Sequence, residues 1–242
     1  MRISIVLPAY NGERFLAEQI ASIVPQMLPG DELLISDDSP EDNLETRRIA
    51  QSFAEHDSRV RCFEGPRKGV QRNVEFLLSQ AARELVVLSD QDDVWLPNKL
   101  QRLRDVFAAH PDITLLVHDA KTTDAALNIV QPSYFDVRGV RRGNPPKVCG
   151  NILRNRFIGC CMAFRRTLLT DALPFPANIP MHDQWLGIVA LKKGMVQWLH
   201  EPLLLYRRHE DAQTHPKASL RQQLQWRRGI LRSVFPWEKR KN

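Results

Sequence analysis

The segment ELVVLSDQDDVWLPNKLQRLRDVFAAH (residues 84–110) changes character twice. It starts as an unbroken apolar run, as a strand covered on both faces must. It then sets three acids within four positions, Asp90, Asp92 and Asp93, and continues from Pro97 with the apolar spacing of a helix. A strand, a polar exit and a returning helix make part of a βαβ unit, and such units build parallel sheets. The acids raise a second question. Like charges this close repel, and burying them costs on the order of several kcal/mol unless something positive sits among them. Either they fan out into water or they hold a cation.

The same unit recurs upstream. ISIVL (3–7) precedes the helical GERFLAEQIASIV, ELLIS (32–36) precedes NLETRRIAQSFAEH, and RVRCFE (59–64) precedes GVQRNVEFLLSQAARE. Ligands of such sheets bind at the carboxyl ends of the strands. Those ends read PAYNGE, SDDSPED, GPRKGV and SDQDD, so acids and turn formers gather on one edge. Beyond residue 112 the alternation becomes irregular. ITLLVHDA, CMAF and MVQWLHEPLLLYRRH (195–209) read as strands, and HDQWLGIVALKKG (182–194) as a helix closed by Gly194. QPSYFDVRGVRRGNPPK (131–147) reads as a long loop. The expectation is an α/β fold: a mainly parallel central sheet, helices on both faces and an irregular second half.

Composition narrows the function classes. The chain has 242 residues, 43% of them hydrophobic, enough for one substantial core. No window approaches the ~18 apolar residues of a membrane span. The opening MRISIVLPAYNG turns too soon for a secretory signal, so a cytoplasmic location is expected. Cys62, Cys149, Cys160 and Cys161 lack metal-ligand spacing and read as reduced, mostly core thiols. Residues 212–242 hold eight Lys/Arg and one acid, so this stretch carries +7 and the rest of the chain −1. A near-neutral body argues against nucleic acid as a partner, whereas a basic tail suits something anionic. A body over 1–211 and a tail over 212–242 follow.

Several residues invite two readings. Asp90 and Asp92, at i and i+2, share one side of an extended chain, and two hard oxygens suit Mg²⁺ or Mn²⁺. Equally, an acid there can cap a turn. Asp37 and Asp38 can accept hydrogen bonds from a ribose or a base, or belong to a capping arrangement in which Asp42 opens the next helix. Asp183 opens an apolar helix, as an N-cap or as a general base. Trp95 and Trp185 can stack on sugar rings or simply fill core. Gly159 marks a close backbone approach.

Taken in order, LPAYNGE, SDDSP, a GxxxN from Gly69 to Asn73, SDQDDVW, GCCMAF, HDQW and YRRHEDAQ resemble the family 2 glycosyltransferases of the GT-A fold. The likeness is greatest to the bacterial subset that builds surface polysaccharides, rhamnosyl- and galactosyltransferases among them, and it covers residues 2–215. It implies inverting transfer of a sugar from a nucleotide-diphosphate sugar donor to a hydroxyl of a glycan acceptor, commonly lipid-linked. Pro8, Ala9, Tyr10 and Glu13 then match the segment lining base and ribose, with Asp37 and Asp38 holding them. Lys68 and Asn73 match positions near the nucleotide. Asp90 and Gln91 fall in the D-x-D element on the donor. Asp92 matches the metal ligand, with Asp90 beside it and His209 as a further metal contact. Asp183 matches the catalytic base, with His182 where many relatives carry Glu. Trp95, Gly159, His182 and Trp185 match the acceptor and sugar side, and Arg207 or Arg208 suit a phosphate. A sugar nucleotidyltransferase would need a glycine-rich phosphate loop, and PAYNGE has one glycine. A non-catalytic nucleotide-sugar-binding scaffold would keep Asp38 yet could dispense with Asp183.

The tail has its own pattern. Leu220, Leu224, Leu231 and Phe235 form a stripe flanked by Arg221, Arg228 and Arg232, with Trp226 and Trp237 nearby. Such a helix lies in the headgroup layer of an anionic membrane through residues 217–237, or packs on the body. The lipid-linked acceptors implied by the resemblance favour the membrane, peripherally on the inner face of the plasma membrane.

Overall fold

The computed structural model describes residues 1–140, 145–177, 179–210 and 219–234. The first half alternates as expected: β1 (Ile3–Ala9), α1 (Leu16–Ile23), β2 (Glu32–Asp37), α2 (Glu45–His56), β3 (Val60–Glu64), α3 (Val70–Gln80), β4 (Leu85–Leu88), β5 (Val94–Trp95) and α4 (Lys99–Ala109). There follow β6 (Ile113–Thr123), β7 (Ile129–Gln131), α5 (Tyr134–Arg138), α6 (Val148–Leu153), β8 (Met162–Arg165), α7 (Leu169–Ala172), α8 (His182–Lys193), β9 (Met195–Arg207) and α9 (Leu220–Val234). The strands form one sheet in the order β3-β2-β1-β4-β8-β6-β9-β5, with β7 beside β6.

Pairing explains where a ligand fits. β1 pairs in parallel with β2 and with β4, so chain order reverses at β1 and a crevice opens between the exits of β1 and β4. β8 is antiparallel to both β4 and β6. Its register, Val87 opposite Ala163, therefore brings the residues just before Met162 to the same edge as Ser89 and Asp90. β9 runs parallel to β6 and ends at Arg207 on that edge. Side chains of β1, β2 and β4 such as Ile5, Leu7, Leu34, Val86 and Val87 are wholly buried, which anchors the edge to a rigid core.

Local details correct the sequence reading. α4 starts at Lys99 and not Pro97, because Asn98 has left-handed backbone (φ 66°). Asp42 does not cap α2, whose cap position is Leu44. Gly194 ends α8 in extended backbone, and a Cβ there would lie 1.8 Å from Thr114 Oγ1, so close packing on β6 demands the glycine. The stretch 131–147 holds a helix, α5, with Ser133 Oγ accepting the Asp136 N–H as its cap. All four cysteines are free, and Cys149 is exposed, outside the core.

α9 packs one side on the body, and other side chains of it are exposed. Ile230 is 1% exposed, and Arg227 Nη2 donates to Leu153 O of α6 at 3.3 Å, so one side packs on the body. Leu224 and Leu231 are 58% and 44% exposed. The side chains of Leu220 and Arg221, and the whole of residues 211–218, Phe235 and Trp237, lie outside the described residues. Among the described residues no helix is long and apolar enough to cross a membrane.

Candidate active site at the exits of β1 and β4

The acidic knot carries its own countercharges. Lys99 is fully buried beneath it, with Nζ donating to Cys160 O at 3.1 Å and lying 4.0 Å from the Trp95 ring centroid. Arg207 comes from the end of β9. Its N–H donates to Asp93 Oδ1 at 3.1 Å, its Nε to Asp92 O at 2.8 Å, and its Nη2 pairs with Glu18. Even so, burial, then Asp92 and Asp183, push the Asp90 carboxyl up to about 7. Burial also raises Asp93 well above the usual range and draws Lys99 down to about 8. Gln19 braces the exit from behind, donating to Ser89 Oγ at 2.7 Å and to Asp90 O at 3.0 Å.

The expected metal residues converge in part. His209 Nε2 lies 2.9 Å from Asp92 Oδ2, although 117 residues separate them in the chain. Asp92 keeps 21% of its side chain open, and His209 Nδ1 is buried without a partner. Oxygen and imidazole donors of this kind suit Mg²⁺ or Mn²⁺, so Asp92 and His209 fit a divalent cation as a pair, whereas Asp90 lies near Asp92 without closing a three-ligand set with them. Among the described residues, the one trio whose ligand atoms lie within 4.8 Å of one another is Asp90, Asp93 and Cys160. It suits those ions poorly. Cys160 is a soft donor whose thiol is held protonated by its bond to Cys161 and by burial, and Asp93 is sealed from the crevice.

Across the crevice stands Asp183. The cap position of α8 is Met181, so Asp183 lies inside the first turn and is not its N-cap. Its Oδ1 accepts the Gln184 N–H at 2.6 Å and its Oδ2 accepts Asn155 Nδ2 at 3.1 Å. Burial raises its pKa, the direction a general base needs. His182 is buried beside it, its own pKa lowered by burial. A Cβ on Gly159 would come within 3.0 Å of His182 Nε2, so the backbone passes close, as the sequence suggests.

The nucleotide-side residues divide into open and enclosed. Tyr10 is 42% exposed at the exit of β1, and Glu13 and Lys68 are exposed near it in sequence or across the edge. Pro8 is half-buried, and Ala9 is buried with its carbonyl accepting the Asp38 N–H at 2.8 Å. Asp38 Oδ1 accepts the Arg67 N–H and Oδ2 the Gly69 N–H at 3.1 Å, holding the β3–α3 loop; burial raises its pKa. Asp37 is sealed, accepting the Ser39 N–H at 3.0 Å beside Arg47, so it supports the edge and cannot touch a ligand. Asn73 is 1% exposed and donates to Ser36 O at 3.0 Å, another support. Gln91 accepts the Tyr10 N–H at 2.8 Å and donates to Tyr10 O at 2.9 Å, stitching the two strand exits together.

Two assignments fail. Trp95 is buried under Lys99, and Trp185 is buried with Nε1 donating to Ala172 O at 2.9 Å, so both are core and neither offers a face to a sugar. Arg207 is committed to Asp92, Asp93 and Glu18 and is no phosphate clamp; Arg208 is exposed. Lys99, Gln19 and Asn155 escaped the sequence reading. Lys99 had a signal, standing at i, i+4, i+7 with the apolar Leu103 and Val106. A separate cleft of about 540 Å³ is lined by Asp119, Ser133, Asp136 and His200, and by none of the residues above.

Comparison with known proteins bears on the family and the fold. The family model described as glycosyl transferase family 2 matches residues 4–172. The UDP-Glc:alpha-D-GlcNAc-diphosphoundecaprenol beta-1,3-glucosyltransferase WfgD of Escherichia coli is 33% identical over 196 residues, 80% of this chain and 71% of that protein. The crystal structure of S. aureus TarS 1-349 in complex with UDP-GlcNAc superposes with a TM-score of 0.66 at 19% identity, covering 87% of this chain and 59% of that one. The mannosyltransferase PcManGT from Pyrobaculum calidifontis, in complex with GDP-Man and Mn²⁺, gives 0.59 at 18% identity, covering 88% and 58%. The fold is GT-A, and the chain belongs to glycosyl transferase family 2.

Proposed function

We propose that this chain is an inverting, divalent-metal-dependent transferase. It would move a sugar from a nucleoside-diphosphate donor to a hydroxyl of a glycan, lipid-linked, in bacterial surface-polysaccharide synthesis. The observation that carries the proposal is convergence: Asp92 and His209 meet at the β4 exit, and the Asp183 carboxylate lies near enough to Asp90 to help push its carboxyl up. Support comes from the WfgD acceptor, a diphosphoundecaprenol, from the UDP-GlcNAc bound to TarS, and from the Mn²⁺ in PcManGT.

Each residue then has a task. Tyr10, Glu13 and Lys68, the open members of the edge, receive the nucleotide. Asp92 and His209 hold Mg²⁺ or Mn²⁺, which when bound supplies positive charge to the departing diphosphate. Asp183 accepts the proton of the acceptor hydroxyl as that oxygen attacks the anomeric carbon from the face opposite the leaving group, which inverts the centre. A single carboxylate suffices for one displacement.

Asp183→Asn separates this reading from a non-catalytic binding protein. We expect UDP-sugar affinity to stay within about twofold by calorimetry, while transfer falls by about 10³-fold or more. Transfer at the wild-type rate would refute the base assignment.

A further inference from the structure

Asn155 comes from the RNRF segment between α6 and β8. Its Nδ2 donates to Asp183 Oδ2 at 3.1 Å, and its Oδ1 accepts the Phe157 N–H at 3.0 Å. The Phe157 donor requires the amide oxygen on its side, so the amide nitrogen must face Asp183 and can only donate to it. The segment is itself braced. Arg156 N–H donates to Asn151 Oδ1 at 2.9 Å, Gln184 Nε2 donates to Asn151 O at 2.6 Å, and Arg138 Nη2 reaches Asn155 O at 3.4 Å. With the Gln184 N–H on the other oxygen, each oxygen of the carboxylate meets a partner that only donates. A proton placed on either of those faces would confront an N–H.

We propose that Asn155 is a positioning residue for sugar transfer, holding the Asp183 carboxylate in one rotamer and as an acceptor toward the crevice. The inference rests on the reading of Asp183 as the base. The other groups facing this carboxylate are His182 on its own helix, Asp90 at the β4 exit and Tyr134 on α5. Burial disfavours the ionised form, and the Asn155 donor opposes that effect. Without the donor, Asp183 must hold its proton to higher pH.

The test uses Asn155→Ala and Asn155→Asp. The aspartate is isosteric and keeps an acceptor for Phe157, but once ionised it cannot donate and adds a like charge. Carbon-13 labelling of aspartate carboxyls, with Asp183→Asn to assign the resonance, reads the titration without any substrate. We expect the Asp183 midpoint to rise by about one pH unit in Asn155→Ala and further in Asn155→Asp. In turnover of UDP-glucose or UDP-GlcNAc, kcat should fall about 10- to 100-fold and its acid limb should move up in step. UDP affinity in Mn²⁺ should stay within about twofold. An unmoved Asp183 midpoint beside an inactive Asp183→Asn overturns this inference alone. Transfer surviving in Asp183→Asn overturns the base assignment and this inference with it.

Discussion

At the residue scale, the puzzle of the acidic knot has an internal answer. Three acids at one strand exit are tolerable because Lys99 lies under them and Arg207 reaches in from β9. Lys99 works in a dry setting, pressed on Trp95, where an unpartnered charge is expensive. Lys99→Met keeps much of the volume and removes the charge. At pH 7.5 we expect urea unfolding to show a loss of about 1–3 kcal/mol, since Lys99 acts on Asp90 and Asp93 through its field and donates to Cys160 O. Near pH 5 the loss should shrink, because burial pushes Asp90 up to about 7 and it is protonated there, leaving less negative charge for the lysine to offset. A loss of the same size at both pH values would mean that Lys99 contributes packing only.

At the scale of elements, the strand–helix alternation of the first hundred residues was readable because each unit buries its own apolar stripe against the sheet. β5 was not: two residues, Val94 and Trp95, pair with β9 more than a hundred positions away, and no periodicity fits in so short a strand. α5 hid in a stretch rich in proline and glycine for the same reason. α9 divides its faces, Ile230 inward and Leu224 and Leu231 outward. The exposed Leu224 and Leu231 lie on one side of the helix next to the exposed Arg228 and Arg232, the side that would meet the anionic lipid surface expected for the tail. The double variant Leu224→Asp/Leu231→Asp should therefore keep the wild-type Tm, since both side chains are exposed. It should lose most co-sedimentation with phosphatidylglycerol vesicles. Undiminished sedimentation would show that this face does not meet lipid.

At the scale of the whole molecule, buried carboxyls at one edge link stability to pH and to the cation. Asp90 and Asp93 have raised pKa values in the fold, so the folded chain binds more protons than the unfolded one as pH passes through about 7. Stability conferred by those protons is present at lower pH and lost as pH rises. His118 and His182 are shifted downward and act in the opposite sense only below about 6.5, and Lys99, drawn down to about 8, opposes the trend only toward the top of the range. In EDTA, Tm should therefore fall between pH 6.5 and 8, and Mn²⁺ should raise it more at pH 8, where Asp90 has released its proton, than at 6.5. A Tm that climbs across this range in chelator would overturn the raised carboxyl pKa values, and a Mn²⁺ shift equal at both pH values would mean that Asp90 does not face the cation. Patterns that repeat along the chain were enough for the parallel strands and long helices of the first half, the polar edge and the order of motifs, because burial is periodic and leaves its period in the residues. Which polar side chain faces a ligand and which is spent inside the protein depends on partners distant in sequence. His209 reaches Asp92, Asn155 reaches Asp183, Asp37 turns to Arg47, and Trp95 disappears beneath Lys99 only once the chain closes on itself.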